Sequence, residues 1–455
     1  MLVWLLYFLN LNNMLVENNR IILVDDSQED LGRLTYIFSQ RGIGYKAFQY
    51  DGIVFPESPL MGVRMVFMDI NLSNSGDENS QFAVLEDALR KYVAKENSYF
   101  VLVFWTTHID YIERFKAFVN RNPDNANVLP KPMLIASVDK TQFVDDDVAA
   151  LEEKLSQVFD EKLVNCLFSF DDNIQRAANK CLTDIVNLAP FNDSWGNNTQ
   201  FETNVRNLFT KIAIGSLGLK PAKENPDKAI KEVIAPSFLY DLMEIEQSTW
   251  KDFLKMEGRP DEELKKIAFA EANTPAKLNT ILNIDPSTED AEARGSVRKM
   301  KMDDDAKGYF ENAFALSVED FIKTKMVDVK DNAFVNEATI VAVEISAACD
   351  YSNDKPRLHR YMLGIMSKRK DYDDHVNEKK TKQKGEHLLI TPFDFVFDGD
   401  VCCMVFNLNY TFNEEATELF GKLGDKLFGF KSEFMNSISD NYARHISRIG
   451  YASFK

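Results

Sequence analysis

Four apolar runs lie in the first 140 residues, and each gives way to polar side chains at its carboxyl end. Ile21 to Val24 lead into Asp25, Asp26 and Ser27. Met65 to Met68 lead into Asp69, and Phe100 to Trp105 into Thr106. A shorter run, Asn127 to Leu129, leads into Lys131 and Pro132. Short apolar runs closed by polar turn-formers predict buried strands. Between them the spacing changes to that of helices. Ser27 caps a stripe of Leu31, Leu34, Ile37 and Phe38, ended by Gly42. Leu85, Ala88, Leu89, Tyr92 and Val93 form a second stripe, and Ile109, Ile112, Phe115 and Phe118 a third. With a weak strand near Tyr45 to Phe48, the alternation predicts an α/β domain over residues 18–140, a doubly wound sheet of five parallel strands.

Beyond it the pattern predicts α+β structure. Val148, Leu151, Leu155 and Val158 are spaced as a coiled-coil seam, but the register breaks at Lys162 and Asn165. A bundle helix is expected there, with a dimer-forming helix as the rival. Further helices are predicted from Ile174 to Leu188, Phe201 to Ile214, Lys228 to Leu254 and Asp261 to Ala272, giving a helical domain over 141–284. Residues 285–308 are charged and poor in large apolar groups, and read as a surface linker. Residues 309–455 form a small antiparallel β domain. Its strands are expected in ATIVAVEIS, Tyr361 to Met366, LLI, FDFVF and VCCMVFNLNYTF. Asp398-Gly399 signals a hairpin, and Phe434, Ile438, Tyr442 and Ile446 mark a closing helix. The polar, basic run 368–387 reads as a solvated loop.

The chain of 455 residues carries a net charge of −18, which opposes nucleic-acid binding through a broad basic face. Five cysteines without zinc spacing read as reduced, buried thiols in a cytoplasm. No stretch is long and apolar enough to span a membrane. Residues 1–17 read as a leader or an over-extended start, with Met14 as the expected initiator; a membrane-surface anchor is the alternative.

In a parallel sheet all carboxyl ends share one edge. Asp25, Asp26, Asp69, Thr106 and Lys131 are therefore expected to converge. Grouped carboxylates repel unless a cation lies between them, and hard oxygen ligands suit Mg²⁺. A lysine ammonium and a threonine hydroxyl beside them would receive an anion. The set suits phosphoryl transfer onto Asp69.

IILVDDS, VFMDINL, VLVFWTT and LPKP together resemble the receiver domain of two-component response regulators, a flavodoxin-like fold. The resemblance implies that Asp69 accepts a phosphoryl group from a sensor histidine kinase or a phosphotransfer protein. It implies that Asp26, Asp69 and the backbone carbonyl of Asn71 bind Mg²⁺ directly, and Asp25 through water. It further implies that Lys131 and Thr106 contact the phosphoryl group and that the Lys131–Pro132 bond is cis. The sequence departs from the family in its longer acidic loop after Asp69 and in Val128, where an aromatic three residues before the lysine is usual. A silent receiver acting as a scaffold is the alternative.

VAVEISAACDYSNDK resembles a strand motif ending in Cys-Asp in prokaryotic proteins, some associated with phage defence. Cys349 and Asp350, with Lys355 and His359 downstream, are a speculative second site, and an enzymatic effector built on them is the rival function. The leading expectation is an atypical response regulator with a protein-interaction output in defence or stress signalling.

Overall fold

The computed structural model describes residues 20–73, 76–121, 128–142, 153, 162–191, 196, 198–245, 249–347, 358–414 and 423–447. The seam at Val148 to Val158 therefore lies outside the described residues. The chain divides into two compact units, residues 1–180 with 240–259, and residues 181–239 with 260–455.

The first unit is built on a parallel sheet of β1 (Ile21–Asp25), β2 (Lys46–Gln49), β3 (Met65–Met68), β4 (Val101–Thr106) and β5 (Leu134–Asp139). Their order is β2-β1-β3-β4-β5, the flavodoxin-like arrangement. β3, and β4 as far as Trp105, are apolar because both their faces are covered. On one face Val24, Val66, Met68, Leu102 and Phe104 pack against α2 (Glu78–Tyr92) and α3 (Tyr111–Asn120). On the other, Leu23, Phe67, Val103 and Trp105 meet α1 (Gln28–Gln40). Val164 of α4 (Lys162–Val186) joins that second face. Asp171 of α4 pairs with Arg20 and, at 2.9 Å, with Arg64 Nε, at the amino-terminal ends of β1 and β3.

The last strand is not where the pattern put it. Val128 and Leu129 are outside any strand, and β5 runs instead through Leu134 to Asp139, paired with β4 in the register Leu102↔Ile135 to Thr106↔Asp139. As an edge strand β5 is only half buried, so it carries Ala136 and Ser137 where a central strand would carry bulky groups. That dilution hides it from a search for apolar runs.

The second unit carries an antiparallel sheet of eight strands in the order β10-β12-β9-β8-β7-β13-β6, with β11 on β12. They are β6 (Ile284–Asp285), β7 (Ser296–Met300), β8 (Thr339–Glu344), β9 (His359–Lys368), β10 (Leu388–Ile390), β11 (Phe395–Phe397), β12 (Asp400–Glu414) and β13 (Leu423–Phe430). The expected hairpin is present: Asp398 and Gly399 both take positive φ, and Phe397 pairs with Asp400. Gly364 is required where β9 meets β12, because a Cβ there would sit 2.5 Å from the Phe406 ring. The helix Ser432–Ile446 closes the chain, burying Phe434, Met435 and Ile438.

Three expectations are corrected. Residues 285–308 are not a linker: β7 lies between β8 and β13, and Asp303 caps the helix Asp304–Phe314. The charged groups of β7 misled the reading; Arg298 is buried with its Nε donating to the Gly424 carbonyl at 2.9 Å. The run 368–387 is not a loop but holds helices Arg369–His375 and Glu378–Gln383, anchored by buried Tyr372 and Thr381. The long helix expected from Lys228 is Pro226–Met243, with a separate short helix at Thr249–Leu254.

Candidate functional site

β1 and β3 both end in acids at the carboxyl edge of the first sheet. Asp25, Asp26 and Asp69 each offer a carboxylate oxygen within 4.8 Å of the others. Asp25 is fully buried and Asp69 nearly so. Asp25 Oδ1 accepts the Ser27 amide at 2.8 Å, and Asp69 Oδ1 the Asn71 amide at 3.2 Å, which orients each carboxylate. Burial pushes the Asp25 carboxyl up to about 7, with the charges of Asp69 and Asp30 adding to it and Lys140 opposing it. Burial also raises Asp26, again with help from Asp69.

The lysine of the site is Lys140. Its Nζ donates to Asp30 Oδ2 at 2.7 Å, Asp69 Oδ2 at 2.9 Å and Asp25 Oδ2 at 3.3 Å. Burial would lower its pKa, but the three carboxylates outweigh burial and raise it, so the ammonium stays charged. Lys131 is corrected: it is exposed and precedes β5, at the sheet edge opposite the acids. No described peptide bond is cis, so Lys131–Pro132 is trans. Lys140 is followed by Thr141, and the third residue before it is Ser137, not an aromatic. Reading the sequence missed both Lys140 and Asp30. The available signal was Leu134 to Val138 running into Asp139 and Lys140, the same apolar-to-charged transition that marks β1 and β3.

Thr106 ends β4 at the same edge, fully buried, its Oγ1 accepting the His108 amide at 3.1 Å. Asn71 follows Asp69, and its Oδ1 is buried without a hydrogen-bond partner. Three clustered carboxylates, with an orphaned amide oxygen on the residue whose backbone amide reaches Asp69, are a donor set that fits a hard divalent cation such as Mg²⁺.

Cys349 and Asp350 lie outside the described residues. His359, singled out with them, opens β9 and is buried. Cys166, Cys181, Cys402 and Cys403 are buried thiols, and burial pushes Cys402 up to about 11 and Cys403 to about 12, which keeps both protonated and unreactive. Among the described residues no helix is long and apolar enough to cross a membrane.

No family model and no curated protein matches the sequence. Among the solved structures that are similar in part are two. One is the N-terminal domain of a response regulator/sensory box/GGDEF three-domain protein from Carboxydothermus hydrogenoformans, at 14% identity and a TM-score of 0.16, covering 31% of this chain and 99% of that one. The other is a yeast Spc42 trimeric coiled-coil segment fused to another protein, at 15% identity and a TM-score of 0.16, covering 34% of this chain and 95% of that one. The fold assignment of the first unit rests on its own parallel sheet and strand order, which are flavodoxin-like.

Proposed function

We propose that the first unit is a receiver that accepts a phosphoryl group on Asp69 from a phosphohistidine of a sensor kinase or phosphotransfer protein. The observation that carries this reading is the acid triad within 4.8 Å with the Lys140 ammonium 2.9 Å from Asp69. In the transfer an Asp69 carboxylate oxygen forms the new bond to phosphorus. The N–P bond of the donor breaks, and its electron pair stays on the imidazole nitrogen. Lys140 lies where it would neutralise a phosphoryl oxygen on Asp69, and Thr106 would offer its hydroxyl on the same edge. Mg²⁺ held by Asp25, Asp26, Asp69 and Asn71 would supply the remaining charge neutralisation.

Phosphorylation replaces the single Asp69 carboxylate charge with a phosphoryl group of nearly two negative charges, beside Asp25 and Asp30, which already share Lys140. Redistribution of that ammonium is the input to a two-state response. The output is protein–protein signalling from a cytoplasmic regulator, in a defence or stress system, with homodimerisation as one route. Incubation with acetyl phosphate and Mg²⁺ tests the reading. The expected result is a gain of one phosphoryl mass that Asp69→Asn abolishes. A gain that survives Asp69→Asn, or no gain and no response to beryllofluoride, overturns it.

A further inference from the structure

A second group of ionisable side chains is buried in the other unit, where β8 ends and β9 begins. Glu344 is fully buried, and Arg298, His359 and Tyr361 are nearly so. Glu344 pairs across the strands with Tyr361, which places both on the same face of the sheet, with His359 two residues before Tyr361. The Tyr361 ring is stacked on Phe412 at 5.6 Å, fixing that wall. The imidazole of His359 lies between two carboxylates: Nδ1 is 3.5 Å from Glu344 Oε1, and Nε2 is 3.4 Å from Glu292 Oε2. Nδ1 is buried without a hydrogen-bond partner. Glu292 is half exposed on the turn before β7, and that turn is fixed by the Gly295 amide, which donates to the Glu344 carbonyl at 2.9 Å.

The spacing selects among roles for this group. A charge-assisted hydrogen bond between imidazolium and carboxylate closes to about 2.8 Å, shorter than either contact here. Two ligand atoms 3.4 Å apart, each about 2.1 Å from one ion, subtend roughly 108° at it, close to the tetrahedral angle. A buried carboxylate behind the other ring nitrogen is the partner that orients a metal-bound histidine and raises its basicity. Imidazole with carboxylate suits a borderline divalent ion of the zinc type rather than Mg²⁺ or Ca²⁺. Burial and the Glu344 charge push the Tyr361 phenol up to about 12, so it remains neutral and serves as wall rather than ligand.

We infer that His359 Nε2 and Glu292 Oε2 are protein ligands of a zinc-type divalent transition metal, with the Glu344 carboxylate 3.5 Å behind Nδ1. Two protein ligands leave the outward coordination positions to water or to an oxygen of a bound molecule. The site is independent of the phosphoryl chemistry assigned to Asp69.

Cobalt(II) is the probe, because tetrahedral or five-coordinate cobalt absorbs visibly. The full chain is stripped with a chelator and carries Asp26→Asn and Asp69→Asn to disable the acid triad of the first unit. Titration is expected to give a visible band saturating at one equivalent and displaced by Zn²⁺. His359→Ala and Glu292→Gln should each weaken binding more than tenfold, and Glu344→Gln by about tenfold. Glu292 is half exposed, so its substitution leaves folding intact and decides the matter if His359→Ala proves unstable. No band, or a band of unchanged affinity in Glu292→Gln, overturns the assignment.

Discussion

Lys140 Nζ stands 2.9 Å from Asp69 Oδ2, although 71 residues separate the two in sequence. Lys131, nine positions earlier, is at the far end of the same strand. If Lys140 neutralises the phosphoryl group, Lys140→Ala should slow phosphorylation of Asp69 by acetyl phosphate on the order of 100-fold, as loss of one preorganised donor does. Lys131→Ala should leave the rate within about twofold of the parent. A rate loss confined to Lys131→Ala would reverse the assignment, and mass spectrometry over a time course reads it.

Asp30 holds the shortest of the three contacts to Lys140, at 2.7 Å. An ammonium has three protons to donate, and here all three have carboxylate partners. Asp30→Asn removes one competitor, so beryllofluoride should bind Asp69 more tightly, by about twofold to tenfold, a ΔΔG of the order of one charge-assisted contact at a part-buried site. Weaker binding in Asp30→Asn would mean that Asp30 positions the lysine rather than competing for it. Fluorescence titration distinguishes the two.

The raised pKa of Asp25, about 7, gives the acid edge a pH dependence. Its folded value lies above the unfolded value of 3.8, so the protonated form favours the fold at low pH, and that contribution is lost as pH rises through about 7. Cation binding requires the carboxylate, so Mg²⁺ affinity should rise between pH 6 and pH 8 with release of a proton. Asp25→Asn should flatten the profile as well as weaken binding. Calorimetry in buffers of different ionisation enthalpy counts the proton.

Asp171 ties α4 to the sheet through Arg20 and Arg64. Burial would raise its pKa, but hydrogen bonds from both guanidinium groups outweigh burial and lower it. A depressed folded pKa contributes stability above the unfolded value, lost as pH falls through the folded one. Asp171→Ala leaves two part-buried cations without their carboxylate and should cost about 2–3 kcal/mol at neutral pH, seen as a lower thermal midpoint. The difference between parent and variant should shrink only as pH falls below 3.8 and through the lowered folded value, where the parent carboxylate is protonated too.

The sequence by itself determined the parallel sheet of the first unit. Runs such as Val101 to Trp105, apolar on both faces, have no stable environment other than a central strand, and the acids closing β1 and β3 are placed at one edge by strand direction alone. It also determined the Asp398-Gly399 hairpin, because few residues accept positive φ twice in succession. Tertiary structure decided which lysine reaches Asp69. Edge strands need only partial burial, so β5 lacks the apolar density that marked the others, and Lys131 and Lys140 are alike in local character. It decided that charged β7 belongs inside the sheet, where the Gly424 carbonyl, 126 residues away, receives the Arg298 Nε–H. Asp30 and the pairing of His359 with Glu292 and Glu344 are of the same kind. Each depends on distances between segments remote in the chain, which local periodicity does not encode.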